Sequence, residues 1–324
     1  MRMQTALTRL LNARLPLLNA PMTPQAGGAL AGAVASSGAV GMLGFDESES
    51  ADSLREQVRI LRERAGDAPF GIGLVRWVID ARPELVELAL EARPKLVSIS
   101  FGDPQPFVAR FHAANVLVAS QVQSKAWAQV ALDAGVDILV AQGTEGGGHT
   151  GSVGTLPLLQ VVLDMAGDTP VVAAGGIATG AGLAAVLAAG ACAGWAGTPF
   201  LAAAEARTNR AAQDRIVAAD ETETILTSVF DRVQHKAWPP EFRGRALRNR
   251  FTDAWHERED EITSDAERQF GEARAHCDYS VAHLYAGQTV GLIRRIASAS
   301  EIVERIARDA ETRLRAVAAI VAPQ

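Results

Sequence analysis

The sequence predicts an α/β fold, a closed (β/α)8 TIM barrel in which eight parallel strands alternate with helices. Three observations support this prediction. Residues 1–204 contain eight short apolar runs, each nearly continuous in apolar character, as expected of strands buried on both faces of a parallel sheet. Helical patterns separate the runs. The runs recur at spacings of roughly 20 to 30 residues. A doubly wound open sheet is the alternative arrangement for such units.

The eight predicted strands follow one another in chain order. They are PLLN (16–19), AVGML (39–43), FGIGLV (70–75), LVSIS (96–100), NVLVAS (115–120), DILVAQ (137–142), PVVAAG (170–175) and AGWAG (193–197). Each run is too short for a buried helix. Stretches such as SKAWAQVALDAG after the fifth strand and GAGLAAVLAAG after the seventh have the length and pattern of the helices that connect parallel strands.

The pattern changes after the eighth strand. Residues 205–284 lose the short β runs and carry charged helical segments, interrupted by HKAWPPEFRGRALRNRF, so they predict an inserted, mainly helical subdomain. Residues 285–324 include the amphipathic stretch SEIVERIARDAETRLRAVAAIV, which predicts the closing helix of the barrel. Residues 1–204 then form the barrel domain itself.

Composition excludes several classes of function. The net charge is −6, with 31 Lys and Arg spread among 37 Asp and Glu, so no continuous basic surface for nucleic acid is expected. No apolar run has the length of a membrane span, and the first 19 residues show no secretion signal. Cys192 and Cys277 are interpreted as buried free thiols, which suits a cytoplasmic protein.

Glycine clusters follow the sixth, seventh and eighth predicted strands. GTEGGGHTG (143–151) can lie flat against a planar ligand because its glycines lack Cβ atoms. Gly175, Gly176, Gly197 and Thr198 fall on the two loops that commonly bind phosphate in this fold. Tight βα turns are the alternative explanation for these glycines. Together the clusters fit a flavin mononucleotide (FMN) across the mouth of the barrel.

His149 is the candidate catalytic residue. It lies on the glycine-rich loop at the face where barrel enzymes place their chemistry, and an imidazole can act as acid or base near neutral pH. The other five histidines are interpreted as surface or core residues. No His, Cys or Asp cluster has metal-ligand spacing, so no metal site is predicted.

Several motifs together resemble one enzyme family. NAPM (19–22), DILVAQGTEGGGHTG (137–151), PVVAAGGIATG (170–180) and GTPFLAAAEA (197–206) resemble segments of the nitronate monooxygenases, formerly called 2-nitropropane dioxygenases. RALRNRF (245–251) and YAGQTVGLI (285–293) are similar to later segments of that family. The resemblance covers nearly the whole chain in the right order.

The resemblance implies specific roles for residues of this chain. It implies His149 as the catalytic residue, and the FMN contacts that it implies are Ala20, Pro21, Met22, Gln142, Gly147, Gly148, Gly175, Gly176, Gly197 and Thr198. The sequence departs from the family at Gly146, where members have Ala. It also has GIGL and SISFGDP where other members carry Asn and Gln near the substrate.

The implied activity is a flavin-dependent oxidation of alkyl nitronates. Members of the family transfer one electron from the nitronate to FMN, and O2 completes the reaction to a carbonyl compound and nitrite. The implied partners are therefore a small nitronate or nitroalkane, with propionate 3-nitronate as one candidate, and O2; a homodimer is allowed for. One alternative is an FMN-dependent enoyl-acyl-carrier-protein reductase that uses NAD(P)H. Another is a flavin-binding barrel without turnover.

Overall fold

The computed structural model describes residues 1–45 and 48–320 and contains the predicted barrel. Its eight parallel strands are β1 (Leu17–Asn19), β2 (Gly41–Gly44), β3 (Phe70–Val75), β4 (Leu96–Ser100), β5 (Leu117–Val122), β6 (Ile138–Gln142), β8 (Val171–Ala174) and β9 (Ala193–Ala196). All eight predicted strands are confirmed, although β2 and β5 each begin two residues later than their apolar runs. For β5 the delay follows from Asn115, whose positive φ of 58° places it in a turn.

The strands are hydrogen-bonded in the order β1-β9-β8-β6-β5-β4-β3-β2. The two end strands meet through a parallel bridge between Leu18 and Val40, in which the Val40 amide donates to the Leu17 carbonyl at 2.9 Å. Asn19 reinforces this seam, because its side chain donates to and accepts from the backbone of Met42. The sheet therefore closes into a barrel, and the alternative of a doubly wound open sheet is wrong.

Helices cover the outside of the barrel. They are α2 (Gly28–Ser36), α3 (Ala51–Ala65), α5 (Glu84–Glu91), α6 (Gln105–Ala113), α7 (Lys125–Asp133), α8 (Thr155–Met165), α9 (Gly180–Ala188) and α15 (Ala299–Ala318). Ser124, Thr179 and Ser298 accept hydrogen bonds from backbone N–H groups in the first turns of α7, α9 and α15, which fixes where these helices begin. The helix α15 packs against α9 and α2 and fills the last gap in the layer.

Shorter elements complete the chain. They are α1 (Ala6–Leu11), α4 (Arg76–Ala81), β7 (Gly148–Thr150), α10 (Thr198–Leu201), α11 (Arg210–Ala218), β10 (Thr224–Thr227), α12 (Val229–Val233), β11 (Arg243–Leu247), α13 (Arg250–Trp255), α14 (Ser264–Ala275) and 3-10 turns at Glu259–Glu261 and Gln288–Leu292.

Side chains of each barrel strand alternate between two apolar layers. In β6, Ile138 and Val140 point to a cluster inside the barrel, and Leu139 and Ala141 point to the layer beneath the helices. The inner cluster also contains Leu7 of α1, so this short helix packs against the barrel interior. Apolar side chains thus fill the barrel interior there, and function is left to the loops at the carboxyl ends of the strands.

The stretch after residue 205 is not free of strands. β10, β11 and β7 form a three-stranded antiparallel sheet, so the expected loss of β runs in this stretch is wrong for two segments. Both segments, TILT and RGRAL, are short, and one carries two arginines, which hides their strand character in the sequence. The division into barrel, inserted subdomain and closing segment stays a prediction, and residues 321–324 of that closing segment lie outside the described residues.

Two further sequence expectations concern the cysteines and membranes. Both cysteines are free thiols, but only Cys192 is buried. Cys277 is exposed, because it follows the C-terminal end of the charged, surface-lying helix α14. Within residues 1–45 and 48–320, no helix combines the length and apolar character needed to cross a membrane.

Candidate active site

The glycine-rich loop leaves the carboxyl end of β6 and turns back over it. The Gly143 amide donates to the Ala174 carbonyl of β8 at 2.9 Å, and the Gly146 amide donates to the Gly143 carbonyl at 3.1 Å. Glu145 accepts from the Thr155 amide at 2.8 Å, which ties the loop to the start of α8. These bonds fix a compact turn over residues 143–147 before the chain enters β7.

β7 carries His149 and depends on β11 for its pairing. Gly244 of β11 lies opposite His149 in the antiparallel register. A Cβ atom on Gly244 would stand 2.7 Å from Cε1 of Tyr285 and 3.6 Å from Nε2 of His149. Glycine at this position therefore lets the two rings lie side by side over the strand.

His149 is paired with a carboxylate that the sequence did not reveal. Its Nε2 lies 2.9 Å from both carboxylate oxygens of Asp231, on α12. The two side chains are only 9% and 8% exposed, so little water competes for this contact. An ionised carboxylate accepts hydrogen bonds, so it holds the proton of a neutral imidazole on Nε2 and leaves the lone pair on Nδ1. Nδ1 itself has no hydrogen-bond partner in the described chain.

Aromatic rings fix the plane of the imidazole. Trp238 stacks on His149 with 3.5 Å between ring centroids and 7° between planes. Tyr285 lies on another side, with its ring centroid at 5.6 Å. Because Asp231, Trp238 and Gly244 all belong to the stretch 231–244, this single segment surrounds the ring from three directions. We call residues 234–242, between α12 and β11, the strap.

Two partly buried groups next to the His149–Asp231 pair have displaced pKa values. Burial, and then the negative charge of Asp231, raise the pKa of Tyr285 well above its ordinary value, so its hydroxyl keeps its proton and faces the carboxylate at 3.5 Å. Burial lowers the pKa of His283 to about 4, so this second histidine is neutral at pH 7. His283 packs against Phe230 and Phe270, and its Nδ1 is buried without a partner within the described residues.

A pair of glutamines supports the loop from below. The Gln142 side-chain amide donates to the His149 carbonyl at 3.0 Å, and Gln123 donates to the Gln142 side chain at 2.7 Å. Gln123 follows β5 and packs against Gly151, because a Cβ atom on Gly151 would stand only 2.7 Å from the Cβ of Gln123. Its Oε1 is buried and accepts no hydrogen bond from any residue the structure describes. The site therefore contains one unused acceptor beside the glycine-rich loop.

The residues predicted to contact a cofactor after the first and eighth strands lie together. A Cβ atom on Gly197 would stand 3.3 Å from Sδ of Met22 and 3.4 Å from Cβ of Ala20. Pro21 packs against β3, where a Cβ atom on Gly73 would stand 2.4 Å from the Pro21 side chain. Closing of the β1–β9 edge thus joins two predicted segments that are more than 170 residues apart in the chain.

The glycines after β8 have backbone conformations that favour glycine. Gly175 and Gly176 have φ values of 93° and 70°. Gly175 is also required by packing, since a Cβ there would stand 2.8 Å from the Gly143 carbonyl oxygen, whereas a Cβ on Gly176 would meet nothing closer than 3.8 Å. Neither amide donates a hydrogen bond within residues 1–45 and 48–320. Two N–H groups are therefore available at this rim, close to the start of α9.

The predicted contacts on the glycine-rich loop differ in their surroundings. A Cβ on Gly147 would meet the backbone of Ala286 at 2.6 Å, so this glycine accommodates the protein's own chain. Gly148 is open, with φ of 74° and nothing within 4 Å. The Thr198 hydroxyl already accepts the Gly287 amide at 2.9 Å. At Gly146, an alanine methyl would stand 3.3 Å from the nearest atom, a contact that a small local adjustment can absorb.

Comparison with known proteins identifies the family. A sequence profile described as nitronate monooxygenase matches residues 80–309, more than half of the chain. The chain belongs to the nitronate monooxygenase family. The nitronate monooxygenase npaC of Metarhizium robertsii is 31% identical to it, over 94% of this chain and 93% of its own length.

Solved structures agree with this family membership. FabK from Thermotoga maritima matches with a TM-score of 0.86 and 29% identity, over 98% of this chain and 100% of that one. A nitroalkane oxidase from Streptomyces ansochromogenes matches with a TM-score of 0.81 and 28% identity, over 97% and 100%.

Other curated relatives share only part of their length with this chain. A (3aS,4S,5R,7aS)-5-hydroxy-7a-methyl-1-oxo-octahydro-1H-indene-4-carboxyl-CoA dehydrogenase of Mycobacterium tuberculosis is 30% identical over 73% of this chain. The chain spans 66% of that dehydrogenase and 60% of a further relative from the same organism.

This member of the nitronate monooxygenase family is therefore an oxidoreductase, and its predicted site residues lie at the carboxyl ends of the barrel strands. Sequence reasoning missed Asp231, Trp238, Tyr285 and Gln123. Asp231 and Trp238 lie in the inserted stretch and carry no local motif, and only the pairing of β7 with β11 brings them to His149. The run WPP, two prolines after a tryptophan in a charged stretch, is the one signal in the sequence that could have marked the strap.

Proposed function

We propose that the protein oxidises alkyl nitronates with O2 to carbonyl compounds and nitrite, with FMN bound across the carboxyl end of the barrel and His149 as the catalytic residue. One observation carries this proposal: the imidazole is held by Asp231 through Nε2 and leaves Nδ1 without a partner among the described residues. A general acid or base needs this combination of a fixed ring and one available nitrogen.

The residues at the mouth fit an FMN. The amides of Gly175 and Gly176, near the start of α9, are suited to a phosphate group. The unused Oε1 of Gln123 would accept a hydrogen bond from an N–H of a flat heteroaromatic ring, and there is open space where a side chain on Gly148 would stand. Ala20, Met22 and Gly197, which lie next to one another, would line the part of the mouth after β1 and β9. Bound there, FMN would supply the electron acceptor for the nitronate.

His149 can serve two forms of the substrate. With the proton on Nε2, Nδ1 accepts a proton from the α-carbon of a neutral nitroalkane. The resulting imidazolium is stabilised by the Asp231 carboxylate at 2.9 Å, and its Nδ1–H can then donate a hydrogen bond to the nitro oxygens of the nitronate anion. A nitronate supplied from outside needs only the second role, and for that role the ring must already carry protons on both nitrogens when the anion binds.

The test replaces His149 with Asn and assays a nitronate and its parent nitroalkane separately. FMN content, measured from the absorption spectrum, must equal that of the wild-type protein, since the side chain is proposed to contact the substrate and not to hold the cofactor. Nitrite release should fall for both substrates, and more steeply for the nitroalkane. Unchanged turnover of both substrates would remove His149 from the mechanism.

A second candidate is reduction of a thioester-linked double bond by NAD(P)H. The likeness to FabK and to the CoA-thioester dehydrogenase supports it. Anaerobic addition of NAD(P)H to the yellow protein separates the two proposals, because a reductase would lose its flavin colour at once. Bleaching together with inertness to nitronates would favour the reductase. A cytoplasmic location and a homodimer stay predictions, to be checked by fractionation and by the mass in solution.

A further inference from the structure

Four aromatic side chains form a continuous wall next to His149. Trp238 and Phe242 come from the strap, Trp77 lies in the first turn of α4 after β3, and Phe101 follows β4. We call these four the aromatic wall. We propose that the aromatic wall lines the substrate side of the site and selects nitronates with uncharged alkyl tails over nitronates whose tails carry a carboxylate. The inference rests on the proposed nitronate oxidation and names its substrate class.

The rings of the wall contact one another edge to face. Trp238 meets Trp77 at 5.4 Å and Phe101 at 5.0 Å between centroids, with interplanar angles of 76° and 84°. Phe101 in turn meets Phe242 at 5.3 Å. These are favoured aromatic geometries, so the strap is attached to the loops after β3 and β4 by ring packing.

The strap separates apolar from charged side chains. His235, Lys236 and Glu241 are exposed to solvent, whereas Trp238 is partly buried and Phe242 is buried. Arg76, the cation nearest to Trp77 in the chain, donates through Nε to the Asp103 carbonyl at 2.8 Å, lies over the Phe107 ring and forms an ion pair with Asp80. The Nε1 of Trp77 is buried without a hydrogen-bond partner among the described residues. The strap therefore turns its rings away from solvent, and the charge of the neighbouring guanidinium is already paired with a carboxylate.

The stacked indole determines where a substrate can lie. At 3.5 Å from the imidazole, Trp238 leaves no space for a ligand on that face of His149. The reacting nitro group must then approach the edge of the ring that carries Nδ1, and its tail extends along the rings of the wall. Each methylene buried against them should improve kcat/KM by about fourfold, whereas a carboxylate there would lose its hydration without gaining a cationic partner.

The experiment measures kcat/KM by nitrite release for the nitronates of nitroethane, 1-nitrobutane and 1-nitrohexane and for propionate 3-nitronate. The variants are Trp238→Ala, Trp238→Phe and, as a matched control, Trp255→Ala, a tryptophan of α13 that packs on Phe251 away from His149. The wild type and Trp255→Ala should gain about fourfold per methylene and disfavour propionate 3-nitronate against the butane nitronate. Trp238→Ala should lose most of this dependence on tail length, and Trp238→Phe should recover part of it.

Two kinetic results would overturn the inference: an unchanged dependence on tail length in Trp238→Ala, or a wild-type preference for propionate 3-nitronate. Calorimetric Kd values for the neutral nitroalkanes, measured without O2, provide a readout that does not need turnover. If no nitronate is turned over, the proposed function fails, and the Kd series still tests whether the aromatic wall binds the alkyl tail. Affinity that rises with tail length in the wild type and not in Trp238→Ala supports it, and a flat wild-type series refutes it.

Discussion

Replacement of Asp231 by Asn should separate the two roles proposed for His149. In the structure both oxygens of Asp231 lie 2.9 Å from Nε2, in a contact that is nearly closed to water. Asn has almost the same shape but no charge, and its amide can donate to Nε2. The imidazole would then carry its proton on Nδ1, the nitrogen that the proposed mechanism needs as a base.

The magnitudes of the two effects differ. The proposed nitronate contact uses the imidazolium, which the Asp231 carboxylate stabilises and an Asn amide does not. A hydrogen bond to a charged group contributes about 1.5–3 kcal/mol, so loss of the carboxylate should slow oxidation of a preformed nitronate by about 10- to 150-fold. For the neutral nitroalkane the base itself is lost, and general-base catalysis contributes typically about 10²- to 10⁴-fold. The nitroalkane rate should therefore fall by roughly one to two orders of magnitude more than the nitronate rate.

The assay compares nitrite release from matched concentrations of nitroalkane and nitronate, with FMN content and melting temperature measured on the same samples. Asp260→Asn is the matched control, because Asp260 also belongs to the inserted stretch, is exposed and pairs with Arg232 away from the imidazole. Equal losses on both substrates in Asp231→Asn, or no loss on either, would refute the idea that Asp231 sets the position of the proton on His149.

Three further predictions concern stability and packing. Burial lowers the pKa of His283 from 6.5 to about 4. As the pH falls below 6.5 the unfolded chain therefore binds a proton before the folded chain does, and the stability present above pH 6.5 is lost as the pH approaches 4. The free energy of unfolding should fall by roughly 3 kcal/mol over this range. His283→Phe should flatten that part of the pH dependence of urea unfolding, and the exposed His276→Gln should leave it unchanged. Gly244→Ala should lower nitrite release and destabilise the fold by about 1–3 kcal/mol, because the new methyl would stand 2.7 Å from a tyrosine ring. The control Gly271→Ala, which has open space around it on a helix, should stabilise the fold by about 0.8 kcal/mol. Equal melting temperatures for the two variants would contradict this prediction. Asn19→Ala should destabilise by about 3 kcal/mol, because it leaves a buried amide and carbonyl of the neighbouring strand unpaired, and a change within 0.5 kcal/mol in urea unfolding would show that the seam needs no side chain.

The barrel strands could be predicted because parallel strands buried on both faces leave continuous apolar runs. The three strands of the small antiparallel sheet could not. Each has three to five residues, and β7 consists of Gly, His and Thr, so its strand conformation comes from pairing with β11 and not from its own composition.

The site was predictable to a similar extent. Glycines and a histidine on consecutive loops of a barrel must meet at one end of it, which is why His149, Gly176 and Gly197 could be named. Asp231 is 82 residues away from His149 in the chain and belongs to a five-residue helix without a motif. A contact of this kind depends on how the inserted stretch folds over the barrel, and no local periodicity records that.

Residues 286–288 cross over the glycine-rich loop, and this affects how the protein unfolds. The backbone amide of Gln288 donates to the backbone carbonyl of Glu145, and the Gly287 amide donates to the Thr198 hydroxyl. The chain therefore attaches the loops after β6 and β9 to each other before it enters the last helix. Detachment of that helix, by mechanical pulling or by proteolytic cleavage upstream of it, would therefore loosen the loops at the mouth of the barrel as well as remove one helix from its outer layer.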